Sequence, residues 1–212
     1  MNIFSNDSLF GRFFGELGNI LLLNALFLIC SIPIITIGIS YTSMEYAFLK
    51  HKRKPDASIF RAFFHSFRQN FKQATLSWML CLLLFFILRV DFHVFGPNGV
   101  YPFLPFYYLL FFPAIVIFFT AWYLFPVIAV FHNTLKNLIL QSFFLAVKHI
   151  PFTIVMCLCF LCFMYLTFSN VTYFPFFLSL WLFFGFGLLG YSNANFFFHI
   201  FLPYLENEDD VC

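Results

Sequence analysis

Five apolar runs, at about residues 20–39, 74–90, 106–131, 152–168 and 176–202, constrain this chain more than any other feature. A helix needs about 20 apolar residues to cross roughly 30 Å of bilayer hydrocarbon, and each run approaches or exceeds that length. Lipid offers no partner for a free backbone polar group, so spanning segments are helices or closed barrels; continuous apolar character selects helices. The expected fold is all-α, a polytopic helical membrane protein with about five transmembrane helices, and no linker divides it into more than one domain. Charge agrees: 9% of residues are charged, whereas a soluble domain carries about a quarter and needs them to cover its surface.

The first run is interrupted by Pro33, with Thr36 and Gly38 close behind. Proline removes one backbone donor and clashes with the preceding turn, so a kink or local unwinding is expected, with helical character continuing toward residue 50.

Seven of the eleven Lys and Arg lie between Lys50 and Lys72. Short loops rich in these residues stay cytoplasmic. The island and the stretch from His132 to His149, with Lys136 and Lys148, are therefore assigned to the inner face of a bacterial cell membrane. The connections containing Gly96-Pro97 and Asn98-Gly99, and Ser169 to Pro175, fall outside. Five crossings then put the N-terminus outside and the acidic C-terminus inside, leaving Arg12 on the unfavoured side. If the segment before Pro33 re-enters instead of crossing, the N-terminus is cytoplasmic and Arg12 joins the majority.

Within the island, Phe60, Phe63, Phe64, Phe67 and Phe71 recur at helical spacing, and Arg61, His65, Arg68 and Lys72 form a second stripe. That pattern is an amphipathic interfacial helix over about residues 57–73, capped by Asp56 or Ser58. A similar helix is expected over residues 134–149. The basic stripe is a candidate contact for lipid or for a partner; the plain alternative is a topology anchor. Ser66, Lys72 and Cys81 recur 76 positions later as Ser142, Lys148 and Cys157, an internal echo compatible with a parallel repeat.

Polar residues inside apolar runs are costly, so they mark a pathway or a buried network. The candidates are Asn24, Thr36 and Glu45 in the first run and Asn193, Asn195 and His199 in the last. Glu45 and His199 are expected at similar depth, where they have the opportunity to pair. Packing glue between helices, helped by Gly185, Gly187 and Gly190, is the favoured reading over a pathway.

No catalytic residue, metal site or cofactor is assigned. Cys157, Cys159 and Cys162 do not share one helical face, the histidines lack ligand spacing, and a net charge of +2 does not suggest nucleic acid. Asn6-Asp7-Ser8 and Asn170-Val171-Thr172 match a glycosylation pattern that carries no weight in a bacterial protein. The N-terminus lacks the features of a cleaved secretory signal.

The run NALFLICSIPIITIG, followed by FRAFFHSFRQNFKQAT, resembles the YesL-like family of bacterial membrane proteins over about the first ninety residues. The matching positions are Asn24, Cys30, Ser31, Pro33, Thr36 and Gly38, then Phe64, Phe67, Asn70, Phe71, Lys72 and Gln73; the second half matches only in its pattern of spans. The resemblance implies a domain of unknown function whose genes neighbour carbohydrate uptake and sensing genes. The expected role is thus a non-enzymatic accessory or assembly subunit, contacting the bilayer and an importer or sensor subunit. The alternative is a small-solute, sugar-related transporter or permease subunit.

Overall fold

A computed structural model describes residues 9–97, 99, 101–169 and 174–205. The two glycosylation-pattern matches and the acidic tail lie outside the described residues. The chain is helical throughout, in the order α1 (Leu9–Cys30), a single 3-10 turn (Ile34–Thr36), α2 (Ile37–Arg53), α3 (Ile59–Gln69), α4 (Phe71–Phe95), α5 (Leu104–Leu109), α6 (Phe111–Val130), α7 (Leu135–Lys148), α8 (Ile150–Phe168), α9 (Phe174–Leu180), a π-helical turn (Trp181–Gly185) and α10 (Phe186–Leu205). No strand occurs among the described residues.

Five helical stretches are long and apolar enough to span: Phe13–Cys30, Phe71–Phe95, Leu104–Val130, Ile150–Phe168 and Phe174–Tyr204. The last four match the expected runs to within a few residues at each end. The first differs. Instead of one kinked helix over residues 20–39 continuing toward 50, α1 ends at Cys30 and α2 starts afresh at Ile37.

The two helices fold back on each other. His51 Nε2 on α2 lies 3.1 Å from Glu16 Oε1 and 3.2 Å from Asn19 Nδ2 on α1. From Cys30 back to Glu16 is the same length of helix as from Ile37 on to His51, about 21 Å at 1.5 Å per residue. A single kinked helix would hold residues 16 and 51 about 50 Å apart. Because α1 and α2 form a hairpin, the first half of α1 lies beside the start of the basic island. A single crossing was the premise that put the N-terminus on the opposite face, and the hairpin removes it.

Pro33 explains why the chain reverses. Its backbone is extended, at φ −74° and ψ 119°, and its missing N–H prevents the helix from closing past it. The carbonyls freed by the break are taken up by side chains. The single hydroxyl hydrogen of Thr36 is shared between Cys30 O at 2.6 Å and Pro33 O at 2.7 Å, and Trp78 Nε1 from α4 donates to Ile34 O at 2.8 Å. This satisfaction is what allows an irregular turn within a membrane protein.

The second arm, α2, sits at the centre, packed against α1, α3, α4, α6 and α10. Every residue from Gly38 to Leu49 except Tyr41 is buried. It is too polar for a lipid-facing span, and protein surrounds it instead. By contrast α4 buries only Ala74 and Ser77, and α8 only Thr153, Met156 and Thr167. Their remaining apolar surface is available to lipid or to another helix.

The 76-residue echo has a structural counterpart. In each half an amphipathic helix packs on the preceding helix, α3 on α2 and α7 on α6, then breaks sharply into an apolar span. Ser66 and Ser142 are both fully buried, as are Ser77 and Thr153. At the second junction His149 is held below the usual imidazole pKa by partial burial and then by the adjacent Lys148.

Candidate functional site

The six polar residues of the apolar runs do not converge. Asn24 is fully buried on α1 and faces the π-helical turn. Its Nδ2 donates to Leu182 O at 2.6 Å, and its Oδ1 accepts the backbone N–H of Gly187 at 2.9 Å. A π turn displaces the regular i to i−4 ladder and frees backbone groups, which one amide side chain here satisfies from the neighbouring helix. Thr36 closes the Pro33 break, as described above.

Asn195 lies near the other end of the hairpin. Its Oδ1 accepts from Lys52 Nζ and its Nδ2 donates to Tyr191 O at 2.9 Å, while Lys52 Nζ stands 4.9 Å from the centre of the Tyr191 ring. With Glu16, Asn19 and His51 this forms a polar belt joining α1, α2 and α10. His199 is exposed on α10, and its ring neighbours Phe198. It does not pair with Glu45, which is fully buried on α2. The helical phase explains this: α2 turns Glu45 inward while α10 turns His199 out.

Glu45 and Asn193 are linked only through Tyr41. Asn193 Nδ2 donates to Tyr41 Oη at 3.1 Å. One turn further along α2, Glu45 is close enough to interact with the same phenol, yet neither carboxylate oxygen has a well-formed hydrogen bond. Tyr41 was not singled out from the sequence, where nothing distinguishes it from nine other tyrosines.

Beside this group lies a half-open cavity of about 260 Å³ between α1, α2, α6, α8 and α10. Phe27, Phe118, Trp122, Phe125, Phe160 and Phe186 supply most of its wall. Tyr41 and Asn193 border it, but their hydrogen bond is turned to each other, leaving an apolar surface. Such a cavity accepts hydrocarbon and has little to offer a hydrated solute.

The basic stripe takes shape on α3. Ser58 caps the helix, its hydroxyl accepting from Arg61 N at 3.5 Å, and Asn70 ends it. Three faces can be distinguished. Ile59, Ala62, Phe63 and Ser66 are buried on the side that packs against α2. Phe60, Phe64 and Phe67 follow about 100° around the helix, and Arg61, His65 and Arg68 about 100° further. All four members of the expected stripe, Arg61, His65, Arg68 and Lys72, are exposed. The apolar face expected to sink into the bilayer is thus partly spent on α2, because Phe63 points inward with no exposure at all.

Among the described residues His51 pairs with Glu16, and no ion pair there involves Arg61, Arg68 or Lys72. No group of three or more potential metal ligands occurs among them. The described cysteines are unpaired thiols on α1, α4 and α8.

Residues 20–92 match the model of a family described as a protein of unknown function, DUF624. The match contains the second half of α1, the turn at Pro33, α2, α3 and nearly all of α4. No curated protein and no solved structure matches the chain.

Proposed function

We propose that this chain is a non-enzymatic accessory protein of the bacterial cell membrane, which helps a carbohydrate importer or sensor to assemble through lateral helix contacts. The sugar connection comes from the YesL-like resemblance, a finer assignment than the match to an uncharacterised family. In this reading the basic island, α7 and the α1 end of the hairpin all face the cytoplasm. The end of α10 joins them, since Lys148 Nζ donates to Tyr204 Oη at 2.8 Å. Arg12 then lies on the side that the positive-inside rule favours.

One observation carries the choice over a transporter. The intramembrane polar groups are dispersed, and Asn24, Thr36, Asn193 and Asn195 are each engaged in a local hydrogen bond between or within helices. A solute pathway needs such groups gathered around a wet cavity, whereas the cavity beside Asn193 is walled by aromatic rings. Dispersed, satisfied amides are the mark of helix packing. The outer surfaces of α4 and α8 then offer the lateral contacts.

Purification from native membranes tests the proposal. Importer or sensor subunits are expected to co-isolate with the full chain. Solute flux in liposomes containing this protein alone would overturn it in favour of transport.

A further inference from the structure

The outward side of α3 carries two shallow grooves in series. The first is lined by Phe60, Arg61, Phe64, His65 and Arg68, and the second by Phe67, Arg68, Gln69, Phe71 and Lys72. Each has the same construction: two phenylalanines on one wall and at least two basic side chains on the other. Arg68 belongs to both. The phenylalanines form a ladder along the helix, with Phe60 and Phe64 centroids 4.9 Å apart and Phe67 and Phe71 5.8 Å apart. Phe60 and Phe71 remain 50% and 41% exposed, an apolar area that no other helix among the described residues covers.

The setting specifies what lies against these grooves. Phe71 and Lys72 open α4, which is apolar enough to span, so the second groove stands where hydrocarbon gives way to headgroups. A phosphate at that level meets Arg68 and Lys72, and the chains attached to it meet Phe67 and Phe71. One turn and a half back along α3 the arrangement repeats. Within α3, Arg61 and Arg68 are about 10 Å apart along the axis, and Lys72 follows across the break at Asn70, on the first turn of α4. Cations with no ion pair among the described residues, set beside exposed rings, complement an anionic amphiphile. Two such sites sharing one arginine complement an amphiphile with two linked phosphates.

We propose that α3 binds an anionic phospholipid bearing two phosphates joined by a glycerol bridge, of the diphosphatidylglycerol type. Arg61 and Arg68 hold one phosphate, Arg68 and Lys72 the other, and acyl chains lie along Phe60, Phe64, Phe67 and Phe71. His65 borders the first phosphate while its ring leans toward Tyr46 of α2, with centroids 6.1 Å apart. The proposal is independent of any importer partner.

The test is lipid retention by the detergent-solubilised full chain, counted by native mass spectrometry after incubation with diphosphatidylglycerol or with phosphatidylglycerol at equal phosphate. The expected result is retention of the two-phosphate lipid at least tenfold above the one-phosphate lipid. Replacing Arg61, Arg68 and Lys72 together by glutamine should abolish that preference. These side chains are exposed, so helix content and thermal unfolding should be unchanged. A control variant with Lys50, Lys54 and Lys136 replaced by glutamine removes the same charge outside the grooves and should retain the lipid. Equal retention of the two lipids overturns the proposal, as does equal loss in the control variant. So does a triple variant that keeps its lipid but no longer co-isolates a protein partner, which would make α3 a protein-docking surface.

Discussion

Asn24 on α1 accepts the backbone N–H of Gly187 on α10 at 2.9 Å while its own amide donates to Leu182 O at 2.6 Å. One side chain thereby closes the backbone groups opened by the π turn at Trp181–Gly185. Replacing it by leucine keeps the volume and leaves a buried N–H and a buried C=O unpaired. Each orphaned group costs about 1–3 kcal/mol, although interhelical bonds in membranes often measure less. Asn24→Leu is expected to destabilise the protein by about 1–3 kcal/mol. Asn24→Asp keeps the acceptor for Gly187 but buries an ionisable carboxyl and loses the donor to Leu182 O, so in neutral buffer it is expected to cost at least as much. Denaturant unfolding in mixed micelles measures both, and an Asn24→Leu variant within error of the parent would show that the π turn finds other partners.

Gly187 and Gly190 are one helical turn apart and predict different outcomes. A methyl group added at Gly187 would sit 2.6 Å from the carbonyl oxygen of Ile20, which is backbone and has no rotamer to escape into. At Gly190 the nearest atom, at 2.7 Å, is the terminal methyl of Met44, the flexible end of a long side chain. Gly187→Ala should cost about 1–3 kcal/mol as α1 and α10 are forced apart, and Gly190→Ala well under that. The measurement is the same micellar unfolding series; equal losses at both sites would mean that the α1 backbone yields as readily as a methionine.

The apolar spans and the striping of α3 were legible because each is a local pattern, readable from length and period alone. The hairpin was not, since Pro33 with Thr36 and Gly38 gives the same local signal for a kink as for a full reversal. What separates the two is the meeting of Glu16 with His51 and of Trp78 with Ile34, contacts that span 35 and 44 positions. Asn24, Thr36, Asn193 and Asn195 each bond separately. Their partners were invisible, because Asn24 and Gly187 stand 163 positions apart. Nor does periodicity say which side of α3 would be claimed by α2 rather than by lipid.

Glu45 is fully buried with no well-formed hydrogen bond to either carboxylate oxygen. A buried polar group without adequate partners is destabilising, and an apolar residue of similar volume removes the penalty. Glu45→Met is therefore expected to raise stability by about 1–3 kcal/mol in micelles. Its hydrophobic neighbours Met44, Ala47 and Phe48 are themselves buried and should accommodate the thioether. A fall of similar size would reveal that the carboxyl group has a partner, such as a trapped water, that stabilises the folded chain.

The hairpin sets the side of the membrane on which α1 begins, and cysteine chemistry can read it in cells. In a background with the native cysteines replaced by serine or alanine, Glu16→Cys with His51→Cys should be bridged by a membrane-permeant bis-maleimide, whose spacer replaces the reach of the two native side chains that meet at 3.1 Å. A pair such as Glu16→Cys with Tyr101→Cys should not. Single cysteines extend the argument to topology: those placed at Gly15 and at Asp56 should both resist an impermeant maleimide applied to intact cells, while one at Tyr101 reacts. Permeabilised cells supply the positive control for the first two. If the cysteine at Gly15 is labelled from outside while that at Asp56 is protected, residues 15 and 56 lie on opposite faces, and α1 with α2 forms a single crossing after all. Protection of both, together with the 16–51 cross-link, would instead make the polar helix α2 a buried return arm, which explains how a segment with Ser40, Thr42, Ser43 and Glu45 is kept inside the membrane domain.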